Sequence, residues 1–234
     1  MAALFALFLT CLVPHLAAKW LFGRSGWPRR FLAAAAWLCG ARVRVVGQPL
    51  QPHSLLICNH VSWLDIPVLG GATGCAFVSK HELGHPLIHW MADQGGTLYV
   101  RRDHRRGAPG QAEAIAQRLS RPQPLALFPE GTTGPGTHLL PFRSTLFSAV
   151  TPPPPRVIVR PVAIDYGEAS SDIGWHEEPG KENALRILGR RRPLPVTIRL
   201  LDPLPPMHDR KALSEAARDA IGEALTSSQR STRL

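Results

Sequence analysis

Leu55-Leu56-Ile57-Cys58-Asn59-His60-Val61-Ser62-Trp63-Leu64-Asp65 is the stretch on which the fold turns. Its first four residues are apolar without alternation, the pattern of a strand buried on both faces. Such strands belong to mostly parallel sheets covered by helices. The run stops at a polar pair, and Asp65 follows His60 by five positions. That spacing does not stack two side chains on one regular helix, where neighbours fall three or four apart. The segment is therefore expected to place His60 after a strand and Asp65 in the first turn of a helix. Trp63 to Leu69 is read as opening that helix, with Asn59 or Ser62 as its cap.

Outward from this stretch, strand patterns alternate with helical ones. Val43 to Val46, Cys75 to Ser79, Thr97 to Val100, Pro124 to Phe128, Val157 to Ile164 and Val196 to Leu201 read as further strands. Pro86 to Asp93, Pro109 to Leu119 and Lys211 to Leu225 read as helices; Ala112, Ile115, Ala116 and Leu119 share one face. The fold class is α/β, with a mostly parallel central sheet flanked by helices. A chain of 234 residues suffices for one domain with a substantial core. Thr151-Pro152-Pro153-Pro154-Pro155 is a stiff spacer. Gly167 to Arg192 is a long polar insertion of the kind that is usually functional or mobile.

The formal net charge is +10. No Asp or Glu precedes Asp65, whereas Lys19, Arg24, Arg29, Arg30, Arg42 and Arg44 all do. Met1 to Ala18 is uncharged and apolar, and Phe31 to Ala41 is apolar again. Flanking Arg residues with Trp20, Trp27 and Trp37 suit a membrane interface. A cleaved signal peptide fits poorly, since no basic residue precedes the apolar core and no small-x-small site follows. Length allows a spanning helix, but Pro14 and Lys19 interrupt it. The favoured reading is a membrane-associated helical hairpin dipping into one leaflet; the alternative is a pair of core helices. The expected division is a membrane segment at 1–41, a catalytic domain at 42–226 and a frayed tail at 227–234. Cys11, Cys39, Cys58 and Cys75 form no CxxC pair, which suits reduced, buried thiols in a protein facing the cytosol.

A histidine with a carboxylate partner can take a proton from a hydroxyl. Phe128-Pro129-Glu130-Gly131-Thr132 lies at a distance suited to a second wall of the same site. It offers a fixed carboxylate and backbone N–H groups to a polar head group. His81-Glu82-Leu83-Gly84-His85 matches the zinc-hydrolase pattern HExxH, but Gly84 weakens a helix there and Pro86 pushes His85 out of helical geometry. No metal is expected. The basic runs Arg101-Arg102-Asp103-His104-Arg105-Arg106 and Arg190-Arg191-Arg192 lack interleaved aromatics and any nucleic-acid motif. Anionic lipid, at roughly 1 kcal/mol per residue near the surface, accounts for them more simply than nucleic acid.

Four blocks in order carry a resemblance to the glycerolipid acyltransferase family that includes bacterial 1-acylglycerol-3-phosphate acyltransferase. They are Asn59-His60-x4-Asp65; Gly96-Thr97-Leu98-Tyr99-Val100-Arg101-Arg102; Phe128-Pro129-Glu130-Gly131-Thr132; and Val159-Arg160-Pro161-Val162-Ala163-Ile164. The resemblance implies His60 as general base and Asp65 as the carboxylate that orients it. It implies substrate binding by Lys80, Arg102, Glu130, Gly131 and Thr132. The expected reaction moves a fatty acyl group from acyl-CoA or acyl carrier protein to 1-acylglycerol-3-phosphate, forming phosphatidic acid. An activated thioester requires no cofactor and no serine or cysteine nucleophile, although Ser62 and Cys58 lie near. Many members continue the third block with Arg or Ser, where this chain has Thr133-Gly134. That departure keeps another lysolipid, such as lyso-ornithine lipid, as the alternative acceptor. The expected location is the cytoplasmic face of the inner membrane.

Overall fold

The computed structural model describes residues 2–80, 85–100 and 108–232. Its centre is a seven-stranded sheet: β1 (Ala41–Gly47), β2 (Ser54–Cys58), β3 (Ala76–Lys80), β4 (Leu98–Val100), β5 (Leu125–Leu127), β6 (Ile158–Asp165) and β7 (Leu194–Leu200). The spatial order is β1-β7-β6-β2-β5-β3-β4. β6, β2, β5, β3 and β4 run parallel. β7 is antiparallel to β6, and β1 follows β7 in parallel. The sheet is therefore mostly parallel, as the apolar run at Leu55 required.

β2 shows why that run lacks alternation. Leu55, Leu56, Ile57 and Cys58 are all fully buried. Leu56 and Cys58 enter the core on one face of the sheet, and Leu55 and Ile57 enter the core on the other. The first core is completed by α2 (Trp27–Leu38) and α3 (Asp65–Thr73), with Ala36, Leu64, Val68 and Leu69 buried. The second is completed by α5 (Ala108–Leu119), a 3-10 turn at Ser144–Val150 and α8 (Arg210–Thr232). Each fully buried Leu or Ile contributes roughly 1.5–3 kcal/mol.

Three expectations need revision. First, α1 (Ala2–Phe22) and α2 pack together as a hairpin, with Phe8 edge-on to Phe31, and α2 also packs on α3 across the boundary expected at 41. It lies so close to α3 that a Cβ on Gly71 would strike the Ala33 backbone. Arg29 reaches across to the Gly71 and Ala72 carbonyls, which close the last turn of α3. Small residues on both helices permit this approach. Second, the Gly167–Arg192 insertion is folded, containing α6 (Ser170–Ile173) and α7 (Gly180–Leu188). Ile173 and Asn183 are fully buried, and the Asn183 amide donates to Gly174 O and the Glu178 carboxylate. Third, α8 continues through Ser227 to Thr232, where a frayed tail was expected. α4 (Pro86–Gln94) precedes β4.

Candidate active site

The site forms where β2 and β5 end, at the carboxyl edge of the parallel strands, the usual place for ligands in such sheets. Asn59 prolongs β2 with its side chain: Oδ1 accepts from Ile164 N at 2.8 Å and Nδ2 donates to Ile164 O at 3.0 Å. This side-chain pair continues the ladder to β6 for one more step. It frees the backbone after Asn59 to turn away from the sheet, with His60 at the turn.

Asp65 then begins α3, one position after the helix N-cap Leu64. Neither Asn59 nor Ser62 is the cap. No side chain caps α3; the Asp65 carboxylate instead folds back and ties down the preceding loop. Its Oδ2 accepts from Val61 N at 2.7 Å, Ser62 N at 3.0 Å and His60 Nδ1 at 2.7 Å. Its Oδ1 accepts from the Tyr166 hydroxyl at 2.6 Å. Asp65 is fully buried. A buried carboxylate is tolerable only when donors surround it, and here four donors and a helix N-terminus do so. Tyr166 has no signal in the sequence, lying 101 residues away at the end of β6. Burial, then the adjacent Asp65, pushes its hydroxyl far above the ordinary tyrosine range, so it remains a donor.

Because the Asp65 carboxylate only accepts, His60 carries its proton on Nδ1 and keeps a lone pair on Nε2. The ring stacks on Phe128 with centroids 4.1 Å apart and lines a cavity of about 710 Å³. Its backbone is fixed from two sides. His60 N donates to Glu130 Oε1 at 2.7 Å, and Gly134 N donates to His60 O at 2.8 Å.

Glu130, expected to contact the head group, is engaged by the backbone. Both carboxylate oxygens serve backbone donors, the second accepting from Leu140 N at 2.9 Å. The residue is buried, and burial pushes its carboxyl up to about 6 despite those donors. Its place here is to set the position of His60. Gly131 and Thr132, from the same block, line the cavity beside His60. Lys80 closes β3, while Arg101 and Arg102 lie outside the described residues.

The remaining candidates are resolved by burial. Cys58 is fully buried, and desolvation drives its thiol well above the usual range; Cys75 is pushed up to about 12. Neither offers a thiolate. Ser62 is fully buried, its hydroxyl directed to Asn183 Oδ1 at 3.5 Å. Of the HExxH segment, His81 to Gly84 lies outside the described residues. His85 has extended backbone and caps α4, its Nδ1 accepting from Leu87 N at 3.2 Å. The geometry expected from Pro86 is therefore observed.

The cavity itself is largely apolar. α1 contributes Phe8 and Leu12, α2 Phe31 and Leu32, and α4 Ile88 and Met91. An apolar cavity of this size with a few convergent polar groups is the usual form of a small-molecule site. Here a histidine with a free lone pair opens onto a space that accommodates hydrocarbon.

Comparison with known proteins agrees with this geometry. A family model described as Acyltransferase matches residues 42–165. The lyso-ornithine lipid O-acyltransferase of Pseudomonas aeruginosa is 37% identical over 202 residues, covering 81% of this chain and 76% of its own. The 1-acyl-sn-glycerol-3-phosphate acyltransferase of Neisseria gonorrhoeae is 32% identical over 143 residues, covering 59% of this chain and 52% of its own. The crystal structure of the 1-acyl-sn-glycerophosphate acyltransferase PlsC from Thermotoga maritima matches with a TM-score of 0.59 over 97% of this chain and 95% of that one. At 20% identity it speaks for the fold alone. With the family's His-x4-Asp and Pro-Glu-Gly-Thr blocks meeting at one cavity inside the matched region, the chain belongs to the acyltransferase family.

Proposed function

We propose that this lysolipid acyltransferase uses His60 as general base to move a fatty acyl group from a thioester, acyl-CoA or acyl carrier protein, to the free hydroxyl of its acceptor. The observation that carries the reading is the 2.7 Å contact between His60 Nδ1 and Asp65 Oδ2, which leaves Nε2 as a base at the cavity. The acceptor hydroxyl gives its proton to Nε2 as its oxygen attacks the thioester carbonyl. Asp65 stabilises the imidazolium that forms, as the carboxylate does in hydrolase triads. Collapse of the tetrahedral intermediate expels the thiolate, which takes up the proton. No acyl-enzyme is required, consistent with the inert surroundings of Cys58 and Ser62.

For the acceptor, lyso-ornithine lipid is the favoured reading. The more extensive of the two similarities above is to an enzyme named for that lipid. This reverses the order drawn from the motifs. The second reading, 1-acylglycerol-3-phosphate giving phosphatidic acid, retains the support of the Arg102 block and the Neisseria relative. The protein would act on the membrane surface at the cytoplasmic face. α1 is the basis for the membrane contact alone: Phe5, Val13, Trp20, Leu21 and Phe22 are exposed, a large apolar face in water but an ordinary one in lipid.

The test is the rate of transfer to each lysolipid by purified protein in vesicles. Folded His60→Ala protein is expected to lose about 10²–10⁴-fold on whichever acceptor is used. Near-normal turnover would reject the mechanism. A wild type that prefers 1-acylglycerol-3-phosphate would restore the second reading. Arg102→Ala should then weaken that acceptor by about one to two decades, the scale of a charged hydrogen bond.

A further inference from the structure

The Gly167–Arg192 insertion crosses the candidate site. Trp175 N donates to Val61 O at 2.9 Å, one residue beyond His60. Gly174 presses against Pro135 so closely that a Cβ would collide with the Pro135 carbonyl. Beyond this anchor, Trp175, His176 and Glu177 line the same cavity as His60.

Glu177 is held at φ +57°, in the left-handed region that non-glycine residues seldom occupy. Such a conformation persists where its surroundings impose it, and it marks a place to look for function. The imposing contacts are its neighbours'. Trp175 Nε1 donates to Glu178 O at 2.9 Å, and the Glu178 carboxylate accepts from Asn183 and Arg186. The Glu178 charge is thereby satisfied within the insertion. The Glu177 side chain is 85% exposed, with His176 Nε2 at 3.5 Å. Among the described residues that line the cavity, Glu177 supplies the one carboxylate, and no Lys or Arg takes part. A negative charge beside the site attracts an ammonium group and repels a phosphate.

We propose that Glu177 is an acceptor-specificity residue whose carboxylate receives the ammonium of a zwitterionic lysolipid head group and disfavours a phosphomonoester. The proposal rests on the reading that the acceptor is lyso-ornithine lipid, which carries a free amine. It gives the insertion a purpose, which is to bring a counter-charge to the mouth of an otherwise apolar cavity. Glu177 would touch the head group only, at a distance from the reacting hydroxyl.

The experiment compares three acceptors with one acyl thioester donor, using the full chain in vesicles. They are lyso-ornithine lipid, the same lipid N-acetylated on its amine, and 1-acyl-sn-glycerol-3-phosphate. In the wild type, kcat/KM should favour the free amine over its N-acetyl form. Glu177→Gln should reduce that preference roughly tenfold, chiefly through KM, the scale of one charged hydrogen bond. Glu177→Lys should move the ratio further toward the phosphate acceptor. Glu177→Gly, which removes the carboxylate and relieves the positive φ, should reproduce the Glu177→Gln shift. If the wild type uses lyso-ornithine lipid but the three ratios are indifferent to residue 177, the inference fails while the substrate reading stands. If the wild type does not acylate lyso-ornithine lipid, the reading fails and the inference with it.

Discussion

His60, Asp65, Tyr166 and Glu130 form one hydrogen-bonded unit, and each member has a separable consequence. Tyr166→Phe deletes the 2.6 Å bond to Asp65 Oδ1 and leaves that oxygen buried without its donor. An unsatisfied buried acceptor costs about 1–3 kcal/mol. The expected result is a lower unfolding midpoint and a lower kcat, with the acceptor KM little changed, because Tyr166 acts through Asp65. A KM effect with normal kcat would contradict this role. Glu130 makes a prediction in pH. Its folded carboxyl is pushed up to about 6, above the ordinary value of 4.5. Between those values the folded state holds more protons than the unfolded state. This group's contribution is therefore fully present below about pH 4.5 and is lost as pH rises through 6, by about 2 kcal/mol. Glu130→Gln removes that titration, so stability measured by urea unfolding should improve relative to wild type across this window. At every pH the amide has one acceptor for two backbone N–H groups, which should displace His60 and depress kcat. A constant stability difference from about pH 4 to 7 would show that Glu130 does not titrate this way.

At the scale of elements, α1 and α2 have different roles although both read as apolar helices. α2 is part of the core: Ala35 and Ala36 are buried, as is Cys39 at its C-cap, and Gly71 of α3 meets Ala33 closer than a side chain would allow. α1 leaves most of its large side chains exposed. Deleting residues 1–26 is therefore expected to retain cooperative unfolding while abolishing binding to neutral vesicles in a flotation assay. Deleting 1–41 removes α2 as well and should yield insoluble or unfolded protein. If the two truncations behave alike, the distinction between the helices is wrong. Gly71→Val tests the α2–α3 contact directly. Overpacking there should cost about 1–3 kcal/mol, read as a fall in the unfolding midpoint.

For the whole molecule, charge and topology act together. A net charge of +10, with every charge before Asp65 positive, should draw the protein to anionic vesicles, and the attraction should fall with salt because exposed charges are screened within about 10 Å at 0.1 M. Binding to neutral vesicles should change little with salt, since burial of α1 then dominates. Equal salt dependence on both surfaces would remove the electrostatic contribution. The sequence by itself determined the α/β class, the seven strands and the pair His60 and Asp65. These follow from short-range facts: an apolar run too continuous for a half-buried strand, and a five-residue spacing too long for one helix turn. The tertiary structure alone decided what the pair rests on. Tyr166, the Asn59 stitch to β6, the turn of Glu130 toward the backbone and the return of Glu177 to the cavity each join residues 70 or more positions apart. No local pattern encodes such contacts, because they exist only when the parallel sheet brings the ends of β2, β5 and β6 to one edge. The same holds for α2, whose composition suits lipid or core equally. Its partner α3 decided for the core: small residues on both helices let the backbones meet at Gly71 and Ala33, a contact that exists only once the chain is folded.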